Sequence, residues 1–179
     1  MAFLKQSLAL WDSGARPGEI AALEAKDWSE PMEAFILGEW KKGGDGRKRT
    51  IYFTDRFLAE VIRPLMERHP TSKLFRNHRG QPWGRWAWGD NFRRIREKMG
   101  LRDDIFAYGY RHRRCTELLK AKVPVAFVVE VMGHKDSKLI FHHYGHLAKD
   151  SVSIREELNR VAASSAAASK PANLPGCLM

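Results

Sequence analysis

Apolar side chains recur along this chain mostly three and four residues apart, and one stretch rich in β-branched and aromatic residues interrupts that rhythm, so a mainly helical fold with a small sheet is predicted. Residues 3–12 carry Phe3, Leu4, Leu8 and Trp11 at helical spacing, and Gly14 is suited to ending that helix. A second helix is expected from Pro17, where the missing N–H needs no partner, with Ile20, Leu23 and Trp28 continuing its apolar stripe. Ala34 to Leu37 and Thr50 to Phe53 read as the strands of a hairpin, joined by the basic, glycine-rich run from Lys41 to Arg49. Thr54 can cap a helix over residues 55–68 that turns Leu58, Val61, Ile62, Leu65 and Met66 inward. After turn chemistry at residues 77–82, Trp83 to Met99 reads as a helix with Trp86, Phe92 and Ile95 inward and Arg93, Arg94, Arg96 and Lys98 outward. Helices near 109–121, from Pro124 to Gly133 and over 147–161 complete an α+β class: mainly α with a small antiparallel hairpin.

Length and composition narrow the partners. A chain of 179 residues with 44% apolar residues suits one globular domain, assigned to residues 1–161. Residues 162–179, rich in Ala, Ser and Pro, bury too little to offset the entropy of ordering and are expected to form a flexible tail. The 31 Lys and Arg exceed the 21 Asp and Glu by ten, a balance suited to a polyanion but silent on which one. Two cysteines, Cys115 and Cys177, do not make a disulfide framework. No apolar run is long enough to span a bilayer, and residues 1–5 lack a signal-peptide pattern, so a cytoplasmic protein is expected.

Four short motifs carry candidate chemistry. They are Ser13-Gly14-Ala15-Arg16-Pro17-Gly18-Glu19, Tyr108-Gly109-Tyr110-Arg111-His112, Met132-Gly133-His134, and Phe141-His142-His143-Tyr144-Gly145-His146. Metal-free cleavage of a phosphodiester needs a nucleophile in line with phosphorus, positive donors on the non-bridging oxygens and an acid for the departing 5′ oxygen. Guanidinium groups such as Arg16 and Arg111 supply forked, permanently charged donors, and a tyrosine such as Tyr144 supplies the nucleophile. The motifs, in this order from about Leu8 to Asn159, resemble the catalytic domain of the tyrosine recombinases, also called phage integrases.

That resemblance implies site-specific cutting and rejoining of double-stranded DNA through a 3′-phosphotyrosyl intermediate on Tyr144. It implies that Arg16 and Arg111 bind the scissile phosphate, that His134 hydrogen-bonds it, and that Glu19 orients Arg16. A hairpin lysine, Lys41 or Lys42, would protonate the leaving oxygen; the Lys42-Gly43-Gly44 run favours one and the distance from the second strand the other. Tyr108 stands where the family usually has histidine, and a phenol is the poorer proton donor at neutral pH. The resemblance further implies no cofactor, a homotetramer on DNA that exchanges a C-terminal segment, and an N-terminal core-binding domain that is missing here. The alternative is a recombinase-derived DNA-binding module with impaired catalysis; a type IB topoisomerase-like enzyme is a third reading. A metal site on His142, His143 and His146 lacks carboxylate or cysteine ligands at useful spacing. Trp83, Trp86 and Trp88 could stack unpaired bases but are read as core, and Arg111 to Arg114 as a phosphate-facing helix edge.

Overall fold

The computed structural model describes residues 2–38, 48–84, 86–105, 108–134, 137–144, 155–156 and 159–160, with the backbone alone for 139, 143 and 144. The chain divides into two units, Met1–Ser137 and Lys138–Met179.

In the first unit, helix α1 spans Ala2–Ser13 and α2 spans Pro17–Ala22. Strands β1 (Trp28–Ser29), β2 (Ala34–Leu37) and β3 (Arg49–Ile51) form an antiparallel sheet in the order β1-β2-β3. Phe35 lies opposite both Trp28 and Ile51, and Leu37 opposite Arg49. The helical stretch from Asp55 to Arg68 comprises α3 (Asp55–Phe57), a wide π turn (Leu58–Ile62) and α4 (Arg63–Arg68). Pro64 has no N–H to give to the preceding turn, and the π turn lies just ahead of it. Helices α5 (Ala87–Lys98), α6 (Gly109–Lys120) and α7 (Val125–Met132) follow, with α6 packed against both α1 and α7. The second unit opens with α8, Lys138–Tyr144.

The core joins Leu10, Ile20 and Leu23 to Phe35, Leu37 and Ile51 of the sheet, Leu58, Ile62 and Leu65 of the third helical stretch, and Trp88 of α5. Helices α1, α6 and α7, the helical stretch from Asp55 to Arg68, the β2–β3 pairing and the inward Leu58, Ile62 and Leu65 agree with the sequence. The Thr54 hydroxyl does cap α3, accepting from the Phe57 amide at 3.4 Å while Thr54 is itself held by Asp12 of α1.

Several facings differ from expectation. On α1 three of the four stripe residues, Leu4, Leu8 and Trp11, are exposed, while Phe3 packs against the core and Gln6, Ala9, Leu10 and Ser13 are buried. Ser13 is satisfied there, its hydroxyl donating to the Ala9 carbonyl at 2.6 Å and accepting from the Ala15 amide, whereas Gln6 gives Nε2 to the Pro17 carbonyl at 3.4 Å and its buried Oε1 meets no donor among the described residues. Trp11 lies instead under the Arg113 guanidinium, 3.1 Å from the ring centroid. Helix α2 stops at Ala22, and Trp28 pairs in β1, where its ring meets Phe35 edge to face. Helix α5 starts four residues late, at Ala87 instead of Trp83; Trp86 is exposed and Ile95 38% exposed, while Phe92 packs against the core as expected beside the buried Trp88, which stacks on Phe3 at 5.6 Å. Tyr144 ends a helix that the sequence did not predict, whereas most of the helix expected over 147–161 falls outside the described residues.

Candidate functional site

Helix α7 ends in a Schellman turn. Gly133 adopts the left-handed region (φ 59°, ψ 45°), its amide bonds the Glu130 carbonyl, and the His134 amide bonds the Val129 carbonyl. This turn leaves the last carbonyls of the helix directed outward, at the negative end of the helix dipole. Arginines from three other segments fill them. Arg49 on β3 donates to the carbonyls of Glu130 at 3.2 Å and Val131 at 2.9 Å. Arg111 on α6 donates to the Met132 carbonyl, and Arg16 ahead of α2 donates to that of Gly133 at 3.4 Å. Four consecutive carbonyls, 130 to 133, thus hold three guanidinium groups that would otherwise repel one another.

Glu19 supplies the balancing charge. It is fully buried, takes the Arg16 guanidinium on Oε1 at 2.7 Å, and takes the Arg16 amide (2.9 Å) and Arg49 Nε (3.3 Å) on Oε2. Burial alone would raise its carboxyl, but the Arg49 charge and the bonds from Arg16 outweigh that and hold it below the ordinary carboxylate range. Arg111 is nearly as buried, with a second bond from Nη1 to the Gly14 carbonyl at 2.9 Å. Burial first, and then the neighbouring Arg16, lower its guanidinium to about 10, which still leaves it protonated at neutral pH. Arg16 is the more open of the two, with 27% of its side chain exposed.

Tyr108 stands immediately before α6, 40% exposed, with its ring 5.8 Å from the Arg111 guanidinium carbon and in edge contact with His112. The structure therefore brings Arg16, Glu19, Tyr108, Arg111 and His134 into one neighbourhood around the end of α7. Lys41 and Lys42 lie outside the described residues. Tyr144, as the last residue of α8, belongs to the second unit.

The run from Arg111 to Arg114 does not form one face, because Arg111 is buried, Arg113 covers Trp11 and Arg114 is half-buried. The basic tip loses a member as well: Arg49, read as its last residue, is the first residue of β3 and is buried. No sequence signal separated it from its exposed neighbour Lys48, apart from its position at the start of an apolar strand. Among the described residues no helix is long and apolar enough to cross a membrane.

Comparison with known proteins extends these observations. Residues 7–151 match the phage integrase family. The chain is 29% identical over 150 residues to the tyrosine recombinase XerD of Corynebacterium glutamicum, covering 80% of this chain and 47% of that protein. It thus spans about half the length of that curated relative. Its fold is similar to the Tn1549 transposon integrase in complex with transposon right end DNA (TM-score 0.67, 20% identity, 88% of this chain and 58% of that one). It is also similar to XerA recombinase (TM-score 0.59, 15% identity, 89% of this chain and 62% of that one). A fold shared with these proteins and a family match running from α1 beyond α8 lead to one conclusion: this chain belongs to the phage integrase family.

Proposed function

We propose that this chain is the catalytic part of a site-specific tyrosine recombinase that cuts and rejoins double-stranded DNA through a 3′-phosphotyrosyl intermediate. The observation that carries the reading is the convergence of Arg16 and Arg111 on the adjacent carbonyls of Gly133 and Met132, beside His134. Two forked cations fixed at one spot are suited to the two non-bridging oxygens of a phosphodiester, where charge grows as a fifth oxygen approaches phosphorus. The relatives point the same way: one is named a tyrosine recombinase, and another was solved on transposon DNA.

In this reading the Tyr144 hydroxyl gives up its proton to water as its oxygen attacks phosphorus, forming the phosphotyrosyl bond as the 5′ oxygen leaves. The proton for that oxygen comes from Lys41 or Lys42. His134 and the Tyr108 hydroxyl donate to the phosphate, and Glu19 holds Arg16 in place. Because one phosphoester replaces another, the reverse attack by a 5′ hydroxyl rejoins the strand without ATP or a cofactor. Residues 1–161 are assigned to the catalytic domain and 162–179 to a tail. The assembly would be a homotetramer on DNA, in the cytoplasm with the nucleoid.

A suicide substrate tests this directly. The chain is incubated with a pool of nicked duplexes of randomised sequence, in which the short cleaved fragment diffuses away and traps the covalent product. An SDS-resistant protein–DNA adduct is expected with the unaltered chain and not with Tyr144→Phe, while DNA binding persists in both. Binding with no adduct from either would favour the alternative of a DNA-binding module without catalysis; loss of binding in Tyr144→Phe would make the tyrosine structural.

A further inference from the structure

Arg49 belongs to the arginine cluster yet makes different use of its guanidinium. Its Nε donates to Glu19, its Nη1 to the carbonyls of Thr50 and Glu130, and its Nη2 to that of Val131. A guanidinium has five N–H groups, so protein acceptors already take at least four of them, and little remains for a phosphate. Burial does not set it apart, since Arg111 is buried as well, but Arg111 gives two N–H groups to protein carbonyls where Arg49 gives four to protein acceptors. Arg49 is therefore not suited to touching DNA.

What it touches is informative. Oε2 of Glu19 is shared between Arg49 and the Arg16 amide, and Oε1 is bound to the Arg16 guanidinium, so Arg49 fixes the carboxylate that fixes Arg16. The same side chain grips the last turn of α7, one and two residues before the Met132 carbonyl that receives Arg111 and three and four before His134. The backbone makes room for it: a Cβ on Gly133 would lie 2.5 Å from Arg49 Nε and 2.7 Å from Cδ, so the turn accepts this arginine only as glycine. One residue on β3 thus ties together α2 and the α7 turn, the two places that aim the phosphate-binding groups.

We propose that Arg49 is a positioning residue for strand cleavage, setting the direction of Arg16 through Glu19 and the placement of the Gly133–His134 turn through the carbonyls of Glu130 and Val131. The inference rests on the recombinase reading above. Lysine keeps the charge at this position but carries its three N–H donors on a single atom, and cannot span the Glu19 carboxylate and the two α7 carbonyls that Arg49 reaches from three separate nitrogens. Glutamine removes the charge as well. Glu19 would then face Arg16, with Arg111 nearby and Glu130 on the α7 side, and burial would push its carboxyl upward.

The test compares the unaltered chain with R49K and R49Q in the adduct assay from about pH 5 to about pH 8, beside thermal melts and salt-matched binding to the same DNA pool. Both variants are expected to melt cooperatively and bind DNA with little change, while adduct formation slows about tenfold to a hundredfold, the scale of an ångström of misplacement at a reacting centre. R49Q is also expected to lose rate as pH falls through the range in which the unaltered chain is flat, because Glu19 then takes a proton and releases Arg16. Folded variants that cleave at the unaltered rate overturn the proposal, and so does a slowed R49Q whose pH profile matches that of the unaltered chain. Should R49Q not fold, a folded R49K decides: slowed cleavage with retained affinity supports the role, and an unaltered rate overturns it. No adduct with the unaltered chain itself overturns the recombinase reading and the positioning role with it, whereas an adduct there with unchanged variants removes Arg49 alone.

Discussion

Breaking the bond to a 5′ oxygen leaves an alkoxide, a far stronger base than any group around the arginine cluster, so the departing atom needs a proton as the bond lengthens. Arg16, Arg49 and Arg111 cannot supply it readily; even Arg111, lowered to about 10 by burial and by its neighbour Arg16, is engaged with two carbonyls. A lysine on the β2–β3 connection is the proposed donor, and chemistry can decide between Lys41 and Lys42 where residue spacing does not. Replacing the bridging 5′ oxygen by sulfur makes the leaving group a thiolate, whose conjugate acid titrates near 8.5 and which departs without help. Alanine at the true donor should slow cleavage of ordinary DNA by at least about a hundredfold and leave cleavage of the sulfur-bridged strand nearly unaffected. The other lysine should show no such difference between substrates. If neither variant does, the donor lies elsewhere.

The end of α7 works as a fixed frame because a short helix with a Schellman turn presents its last carbonyls in one rigid arc. Gly133 bears two separate constraints, a positive φ and the guanidinium packed against its Cα. Gly80 and Gly100 also have positive φ but open space where a Cβ would go, so they separate the two effects. Gly80→Ala and Gly100→Ala should each cost about 1 kcal/mol from backbone strain, and Gly133→Ala clearly more, read as chemical-denaturation midpoints at constant slope. Equal losses at all three would mean that the contact with Arg49 carries no energy. The turn was visible in the sequence as glycine after an apolar helix; its three arginine partners were not, because they arrive from β3, α6 and the start of α2, many residues away.

For the molecule as a whole, an excess of ten positive charges should appear in how it meets DNA. Each phosphate neutralised releases condensed counterions, so the logarithm of affinity falls linearly with the logarithm of salt concentration, by about 0.9 per contact. Binding to randomised duplexes should therefore weaken at least about tenfold between roughly 50 and 200 mM salt. Tyr144→Phe should follow the same slope, since it removes no charge. A flat response would mean that the basic residues serve the fold, as Arg49 does, and not the surface.

Local chemistry was legible wherever neighbours in sequence decide the structure. Helix starts at Pro17 and Thr54, the Gly133 ending and the pairing of β2 with β3 all follow from backbone preferences and short-range spacing. Facing is a different matter. Leu4, Leu8 and Trp11 form a good helical stripe and still point outward, since Ala9 and Leu10 on the opposite face meet the core and Ser13 beside them finds a buried carbonyl partner. Arg49 and Lys48 are adjacent basic residues, yet one is buried and the other exposed, because only Arg49 reaches a buried carboxylate and unfilled helix-end carbonyls. A side chain's surroundings are set by segments distant along the chain, so the tertiary structure alone decided which positive charges became the frame of the site.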